Sequence, residues 1–339
     1  MTVILRTMTE AELGARLVGQ IEAYAEDLVL SGQATSEDAR ERSALSHAAL
    51  LPDGVHSKGH LVFTAEVNGE TVGWIWLALP GSSPTRSDLG WIFNVEIDPE
   101  FRGRGHGRGI LLAAEREMRD RAVPRIGLNV FGHNPVARRL YDSLGYELTA
   151  CQMVKTLAPQ SAARPASTVT SAVTSAGTSA VTLRPMTERE LRTWLAEQAG
   201  EFAAQLVNAG EATPEEAPDV VRSSVEARLP DGVATPGQLV YRGEADGVTI
   251  GWIWAALPGS GGQRRPGTAW IYDVFIDPAT RGQGHGRAII EALERGLAAR
   301  DIPRLGLNVY GHNIVARRLY DSLGFQVTSA QMVKALRKW

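Results

Sequence analysis

The chain is written twice. LRTMTEAEL at Leu5 returns as LRPMTEREL at Leu183, LPDGV at Leu51 returns at Leu229, and GWIW at Gly73 returns at Gly251. GLNVFGHNPVARRLYDSLGYE at Gly127 returns as GLNVYGHNIVARRLYDSLGFQ at Gly306. The offset is 178 residues early in the copies and 179 later, so one net residue has been added, in the loop after LPGS. Solenoid repeats have periods of roughly 20–50 residues. A period this long makes each copy a domain in its own right.

A chain of 339 residues has room for two cores, and 44% hydrophobic content suits a globular protein. Pro159 to Ala180, PQSAARPASTVTSAVTSAGTSA, lies between the copies; it is rich in Ser, Thr and Ala, nearly uncharged and without large side chains. Such a segment cannot bury a core and reads as a flexible linker. The expected organisation is residues 1–158, a linker over 159–181, and residues 182–339. A formal charge of −3 points to neither nucleic acid nor an anionic membrane as partner. The single cysteine, Cys151, has no internal partner, which fits a reducing compartment. The N-terminus shows no basic segment followed by a long apolar run, and the most apolar stretch, Val72 to Leu79, is too short to span a bilayer. A cytoplasmic location is expected.

Each copy has the same order of patterns. A helix begins at the MTE motif with Thr9 or Thr187 as N-cap, and a second amphipathic helix runs over Ser36 to Leu50 or Pro214 to Leu229. HLVFTAEV and TVGWIWLAL alternate as a hairpin, as do QLVYRGEA and TIGWIWAAL. WIFNVEID and WIYDVFID are strands that run into a glycine-rich loop, followed by a helix from about Arg108 to Ala122 or Arg287 to Ala299. IGLNVFG and LGLNVYG are strands, and VARRLYDSLG is a helix ending at a glycine C-cap. YELTACQMVKTL and FQVTSAQMVKAL read as the last strand pair. The pattern predicts an α/β (α+β) fold, with a mixed sheet and helices on its faces, twice.

The loop is RGRGHGRG, Arg102 to Gly109, and again RGQGHGRA, Arg281 to Ala288. Glycine allows positive φ and close approach of the backbone to a ligand. The helix that follows starts with unpaired N–H groups and a partial positive charge, a natural phosphate site. Arg102, Arg104 and Arg281 add charges suited to phosphate oxygens. A P-loop would need Lys-Ser/Thr after the last glycine, where this chain has Arg108-Gly109 and Arg287-Ala288. The G-x-G-x-x-G dinucleotide fingerprint fails at Arg108, and no acidic ribose-binding residue is evident. A pyrophosphate cradle remains.

RGRGHG and RGQGHG resemble the R/Q-x-x-G-x-G/A acetyl-CoA loop of the GNAT N-acetyltransferases, and the downstream N-P-V-A-R-R-L-Y-D-S-L-G-Y and N-I-V-A-R-R-L-Y-D-S-L-G-F resemble that family's second signature. The resemblance covers both copies. It implies two tandem domains, each a mixed, mostly antiparallel sheet with flanking helices and a splayed central strand pair. It further implies transfer of an acyl group, acetyl above all, from acetyl-CoA to a primary amine in a ternary complex. The acceptor, a small molecule or a peptide, is not legible, and neither a membrane nor a metal is implied. A non-catalytic acyl-CoA sensor and an enzyme using another thioester stay open. The two copies could pack as an internal pseudo-dimer, as single-domain relatives often pair.

By the same resemblance the backbone at Val95 and Ile97, and at Val274 and Ile276, pairs with the pantetheine arm. The pyrophosphate lies against Arg102, Gly103, Arg104, Gly105, His106, Gly107 and Arg108 in one copy, and Arg281, Gly282, Gln283, Gly284, His285, Gly286 and Arg287 in the other. His106 and His285 either donate to phosphate or face solvent. Asn134 and Asn313 match the family's asparagine near the pantetheine, and both also suit an N-cap. Tyr141 and Tyr320 match the tyrosine that protonates the leaving thiolate. Glu96 is a candidate base, alternating with Val95 and Ile97 and lying on the same side as Asn94. The second copy has Phe275 in its place and Asp273 where the first has Asn94. Loss of Glu96's counterpart favours the first copy as the active one, and Asp273 offers the second a base of its own. Trp74, Trp76, Trp252 and Trp254 alternate on a strand and read as core, with a pocket wall as the alternative.

Overall fold

The structure is a computed structural model that describes residues 2–82, 88–158, 181–208, 212–260 and 265–336. Residues 159–180 of the linker read from the sequence lie outside the described residues, and residue 181, placed at the linker's end, instead opens the second copy's first strand. The chain forms two compact units, Met1–Ala150 with Thr328–Trp339, and Cys151–Val327.

The first unit opens with β1 (Ile4–Thr7) and α1 (Glu10–Leu30). Thr9 accepts from the Glu12 N–H while the Glu12 carboxylate takes the Thr9 N–H at 2.8 Å, a capping box that satisfies two of the helix's orphan donors. α2 (Ala39–Leu50) follows, then β2 (His60–Val67), β3 (Glu70–Ala78) and β4 (Leu89–Ile97). α3 (His106–Asp120), β5 (Arg125–Phe131), α4 (Pro135–Ser143) and β6 (Glu147–Thr156) complete the first copy. The second copy repeats the order: β7 (Val181–Pro185), α5 (Glu188–Asn208), α6 (Ala217–Arg228), β8 (Gln238–Ala245), β9 (Val248–Ala256) and β10 (Thr268–Ile276). α7 (His285–Ala298), β11 (Arg304–Tyr310), α8 (Ile314–Ser322) and β12 (Gln326–Ala335) end it.

In the first unit the strand order is β1-β2-β3-β4-β5-β12, antiparallel throughout except for parallel β4 and β5. In the second it is β7-β8-β9-β10-β11-β6, with β10 and β11 the parallel pair. The mixed, mostly antiparallel sheet expected of each copy is therefore present. Each unit's final strand comes from the other copy. Met332 of β12 pairs with Leu128 of β5, and Lys334 reaches the fully buried Glu115 of α3 at 2.7 Å. In the second unit Lys155 of β6 reaches Glu294 of α7 at 2.7 Å.

The cores are apolar and aromatic. Met8, Leu13, Leu51, Val62, Trp74 and Trp76 cluster between helices and sheet in the first unit. Met186, Leu191, Trp194, Leu229, Val240 and Trp254 do so in the second. Trp74, Trp76 and Trp254 are buried as the core reading requires, while Trp252 keeps partial exposure. Gly73 is needed for close approach, since a Cβ there would sit 2.1 Å from the Glu96 carbonyl oxygen of β4.

Candidate active site

A break in the sheet sets up the site. β4 and β5 pair only from Leu89↔Arg125 to Ile92↔Leu128, although both strands continue. β10 and β11 likewise stop at Ile271↔Leu307. At that point the register with β3 slips, Leu77 facing Ile92 and Trp76 facing Asn94, so Phe93 is an extra residue. Tyr272 is extra in β10 in the same way. A bulge bends its strand and re-aims the next side chain. The parallel strands part here, which is the splay that the resemblance implied, and a cleft opens in each unit.

The first cleft, about 290 Å³, is lined by Trp76, Asn94, Val95, Asn134 and Tyr141 among others. The second, about 560 Å³, is lined by Trp254, Asp273, Val274, Asn313 and Tyr320 among others. Trp76 and Trp254 thus serve as both core and wall. Tyr141 and Tyr320 are buried on the inner faces of α4 and α8. Burial pushes the Tyr141 phenol up to about 12. Burial raises Tyr320 as well, and the charge of Asp273 adds to it. Both phenols hold their proton at neutral pH.

The two candidate carboxylates have different surroundings. Glu96 takes a hydrogen bond from the Trp74 indole N–H at 2.7 Å, and it does not line the cleft. Asn94 occupies the cleft wall instead, its amide nitrogen buried without a hydrogen-bond partner. In the second unit the matching residue is Asp273, half-buried and lining the cleft, with Oδ2 enclosed and free of any hydrogen bond. Burial pushes its carboxyl up to about 7, against the pull of the Trp252 indole and the Val274 backbone N–H. Phe275, at Glu96's position, stacks on Trp252 with ring centroids 4.2 Å apart. The structure therefore joins Asp273 with Tyr320 in one cleft and leaves Glu96 outside the cleft of Tyr141.

The glycine loops lead into α3 and α7, which begin at His106 and His285, two residues earlier than the sequence pattern suggested. Gly103 and Gly105 have φ of 76° and 84°, and Gly282 and Gly284 have 78° and 84°. A left-handed backbone at these points turns the loop back over the helix start. No side chain caps either helix, so the first-turn N–H groups stay available, and nothing lies within 4 Å of where a Cβ on Gly105 or Gly284 would stand. Gly107 and Gly286 sit in the first helical turn against Leu140 and Leu319, near Ile97 and Ile276. Arg102 and Arg281 donate through Nε to the carbonyls of Ile97 and Ile276, at 2.9 and 3.0 Å, which anchors each loop to its strand. Arg108 and Arg287 donate to Ser143 and Ser322 at 2.5 Å, while Arg104 lies over Phe101 and Gln283 is exposed. An open, uncapped, arginine-flanked cradle of this kind fits a diphosphate.

His106 and His285 are buried, so the solvent-facing alternative fails. The Nδ1 atoms of both have no hydrogen-bond partner. Asn134 and Asn313 cap α4 and α8 through bonds from Ala137 N and Ala316 N at 3.0 Å, and they also line the clefts. Sequence reading missed Arg228, which lines the second cleft at the end of α6. The signal was a difference between the copies, since the matching residue of the first is Leu50.

Comparison with known proteins agrees with this geometry. The model of the acetyltransferase (GNAT) family matches residues 23–146 and 189–325. An uncharacterized N-acetyltransferase, YycN of Bacillus subtilis (strain 168), is 30% identical over 158 residues, 46% of this chain and 100% of the relative. A mycothiol acetyltransferase of Amycolatopsis mediterranei (strain U-32) is 29% identical over 301 residues, 85% of this chain and 87% of the relative. Among solved structures, a GCN5-related N-acetyltransferase from Sphaerobacter thermophilus aligns over 99% of this chain and 96% of its own, with a TM-score of 0.50 and 19% identity, a likeness of fold.

Proposed function

The chain belongs to the GNAT acetyltransferase family, and on that premise we propose that it transfers an acetyl group from acetyl-CoA to a primary amine, with the second unit's cleft as the place of reaction. The observation that carries this reading is the meeting of Asp273 and Tyr320 in one cleft of a unit that also holds an uncapped glycine loop at the start of α7. Acetyl-CoA supplies an activated acetyl thioester. The loop from Arg281 to Arg287 and the start of α7 hold its diphosphate, and the unpaired edge of β10 from Asp273 to Ile276 faces its pantetheine arm. In the first unit the loop from Arg102 to Arg108 and the edge at Val95 and Ile97 fit the same ligand.

An ammonium group cannot attack, so the acceptor must lose a proton first. Asp273, titrating near neutrality, is matched to that task. The amine nitrogen bonds to the acetyl carbon as the carbon–sulfur bond breaks. Tyr320, protonated by its burial, gives the departing sulfur a proton and is restored by the second proton that the nitrogen sheds as the amide forms, so the one proton released overall rests on Asp273. In the first cleft the Asn94 amide cannot accept a proton, and Glu96 lies outside the cleft and accepts from Trp74. That cleft is a CoA site without a base of this kind.

Titration of acetyl-CoA into the full chain, with Gly105→Glu and Gly284→Glu beside it, tests the reading. Each variant places an anionic side chain in one cradle. Two sites in the parent are expected, one lost in each variant, with release of CoA in the presence of amines lost only in Gly284→Glu. Loss of turnover in Gly105→Glu alone would overturn the assignment to the second unit, and absence of any CoA binding would overturn the function.

A further inference from the structure

The two clefts differ most along one wall. Where the first has Leu50 at the end of α2, the second has Arg228 at the end of α6. Where the first has Phe93 and Asn94, the second has Tyr272 and Asp273. The Arg228 guanidinium lies over the Tyr272 ring, 4.9 Å from its centroid, which fixes the plane of the fork. Its Nη1 donates to the Ser224 carbonyl at 2.9 Å and to the Ser224 hydroxyl. Its Nε is buried and makes no hydrogen bond, and among the described residues no carboxylate pairs with it. Nη2 likewise makes no hydrogen bond and is not enclosed, so that end of the fork is the part open to an acceptor from a ligand.

Two charged side chains of opposite sign therefore share this cleft. We propose that the second cleft takes an amine that also carries an anionic group, a carboxylate or a phosphate, with the anion on the Nη2 end of the Arg228 fork and the amine at Asp273. This assignment rests on the acetyl-transfer reading and adds the chemical class of acceptor. A cleft of about 560 Å³ has room for a molecule spanning both groups beside the end of the pantetheine arm. The guanidinium fork matches carboxylate and phosphate oxygens in geometry and charge. The first cleft, with Leu50 and Asn94, presents neither charge at these positions.

Matched acceptors test it on the full chain. 4-Aminobutanoate would be compared with butylamine, and phosphoethanolamine with ethylamine, by CoA release at saturating acetyl-CoA. The parent is expected to favour the anionic member in kcat/KM by about 10- to 100-fold, the range for a hydrogen bond to a charged group. Arg228→Leu should collapse that ratio through KM for the anionic member, and Arg228→Lys should restore part of it, since charge survives and the planar fork does not. The arm with the larger ratio distinguishes carboxylate from phosphate. Equal use of both members by the parent would overturn the assignment while leaving acetyl transfer standing. So would an Arg228→Leu variant that slows both members equally, the mark of a structural role. Absence of turnover with every amine, despite acetyl-CoA binding, would overturn the acetyl-transfer reading and this assignment with it.

Discussion

Replacing Asp273 by Asn puts into the second cleft the residue that the first already has at that place. The change keeps shape and removes the charge. The native carboxyl titrates near 7 because burial disfavours its ionised form, against an ordinary value of 3.8. Each pH unit between those values is worth about 1.4 kcal/mol, so the ionised group costs the fold roughly 4 kcal/mol above pH 7. The sign follows from proton binding. Between about pH 4 and 7 the folded chain holds a proton that the unfolded chain has lost, so stability falls as pH rises through that window and is level above it. Asp273→Asn removes this dependence. Its melting temperature should match the parent's near pH 4 and exceed it at pH 8, by on the order of 10 °C for a unit of this size. Activity should move the other way. In the parent, turnover falls below pH 7 as the base is protonated, and the variant should lose about 100-fold or more in kcat with acetyl-CoA affinity retained. Melting curves at pH 4 and 8, with a pH–rate profile, provide the check. A variant no more stable at pH 8 than the parent, or one that keeps the parent's pH–rate profile, would refute the reasoning.

Tyr320→Phe should lower kcat by about 100-fold with little change in KM, since the lost group acts on the departing sulfur, whereas Tyr141→Phe should leave turnover within about twofold; steady-state kinetics decides between them. Glu96→Gln should leave the pH–rate profile unchanged, because the amide oxygen still accepts from Trp74 and the residue lies outside the cleft. Lys334→Met should destabilise the first unit by about 3 kcal/mol, because it takes the close partner of the buried Glu115 carboxylate and leaves only the longer contact to Arg119, 3.8 Å away; denaturant unfolding measures it. Lys155→Met should do less to the second unit, since Glu294 is the more exposed of the two acids, at 14% against 1%.

Much of the candidate site's backbone geometry was legible in the sequence. The loops had to turn where glycine recurs, because positive φ is needed there, and Gly103, Gly105, Gly282 and Gly284 all adopt it. Thr9 announced its helix by the Thr-x-x-Glu pattern, and Asn134 and Asn313 stood in front of apolar helical runs that they do cap. The burial of the loop histidines was less legible, since a helix-starting residue between glycines gives no periodicity from which to read it. Glu96 and Asp273 both stood out as candidate bases, but which of them lines a cleft was not legible. Alternation places Glu96 on the same side as Asn94, and the register keeps them so, facing Trp74 and Trp76; yet Asn94, next to the point where β4 parts from β5, lines the cleft, while Glu96 two residues on ends on the Trp74 indole. Where two strands part depends on how they meet, and a single strand's sequence does not carry it.

The sequence by itself determined that there are two domains of one family, which strands and helices each contains, and where the glycines turn. Those outcomes follow from local rules, 3.6- and 2-residue periods, caps and backbone freedom, which act within a few residues. Only the tertiary structure decided which last strand completes which sheet. β6 and β12 share the run QMVK, and each offers a lysine to a glutamate on a helix, Lys155 to Glu294 and Lys334 to Glu115. Either strand suits either slot by pattern, so pairing was settled by long-range contacts. The same is true of the cleft, where Asp273, Tyr320 and Arg228 come from β10, α8 and α6 and meet because the sheet parts between β10 and β11.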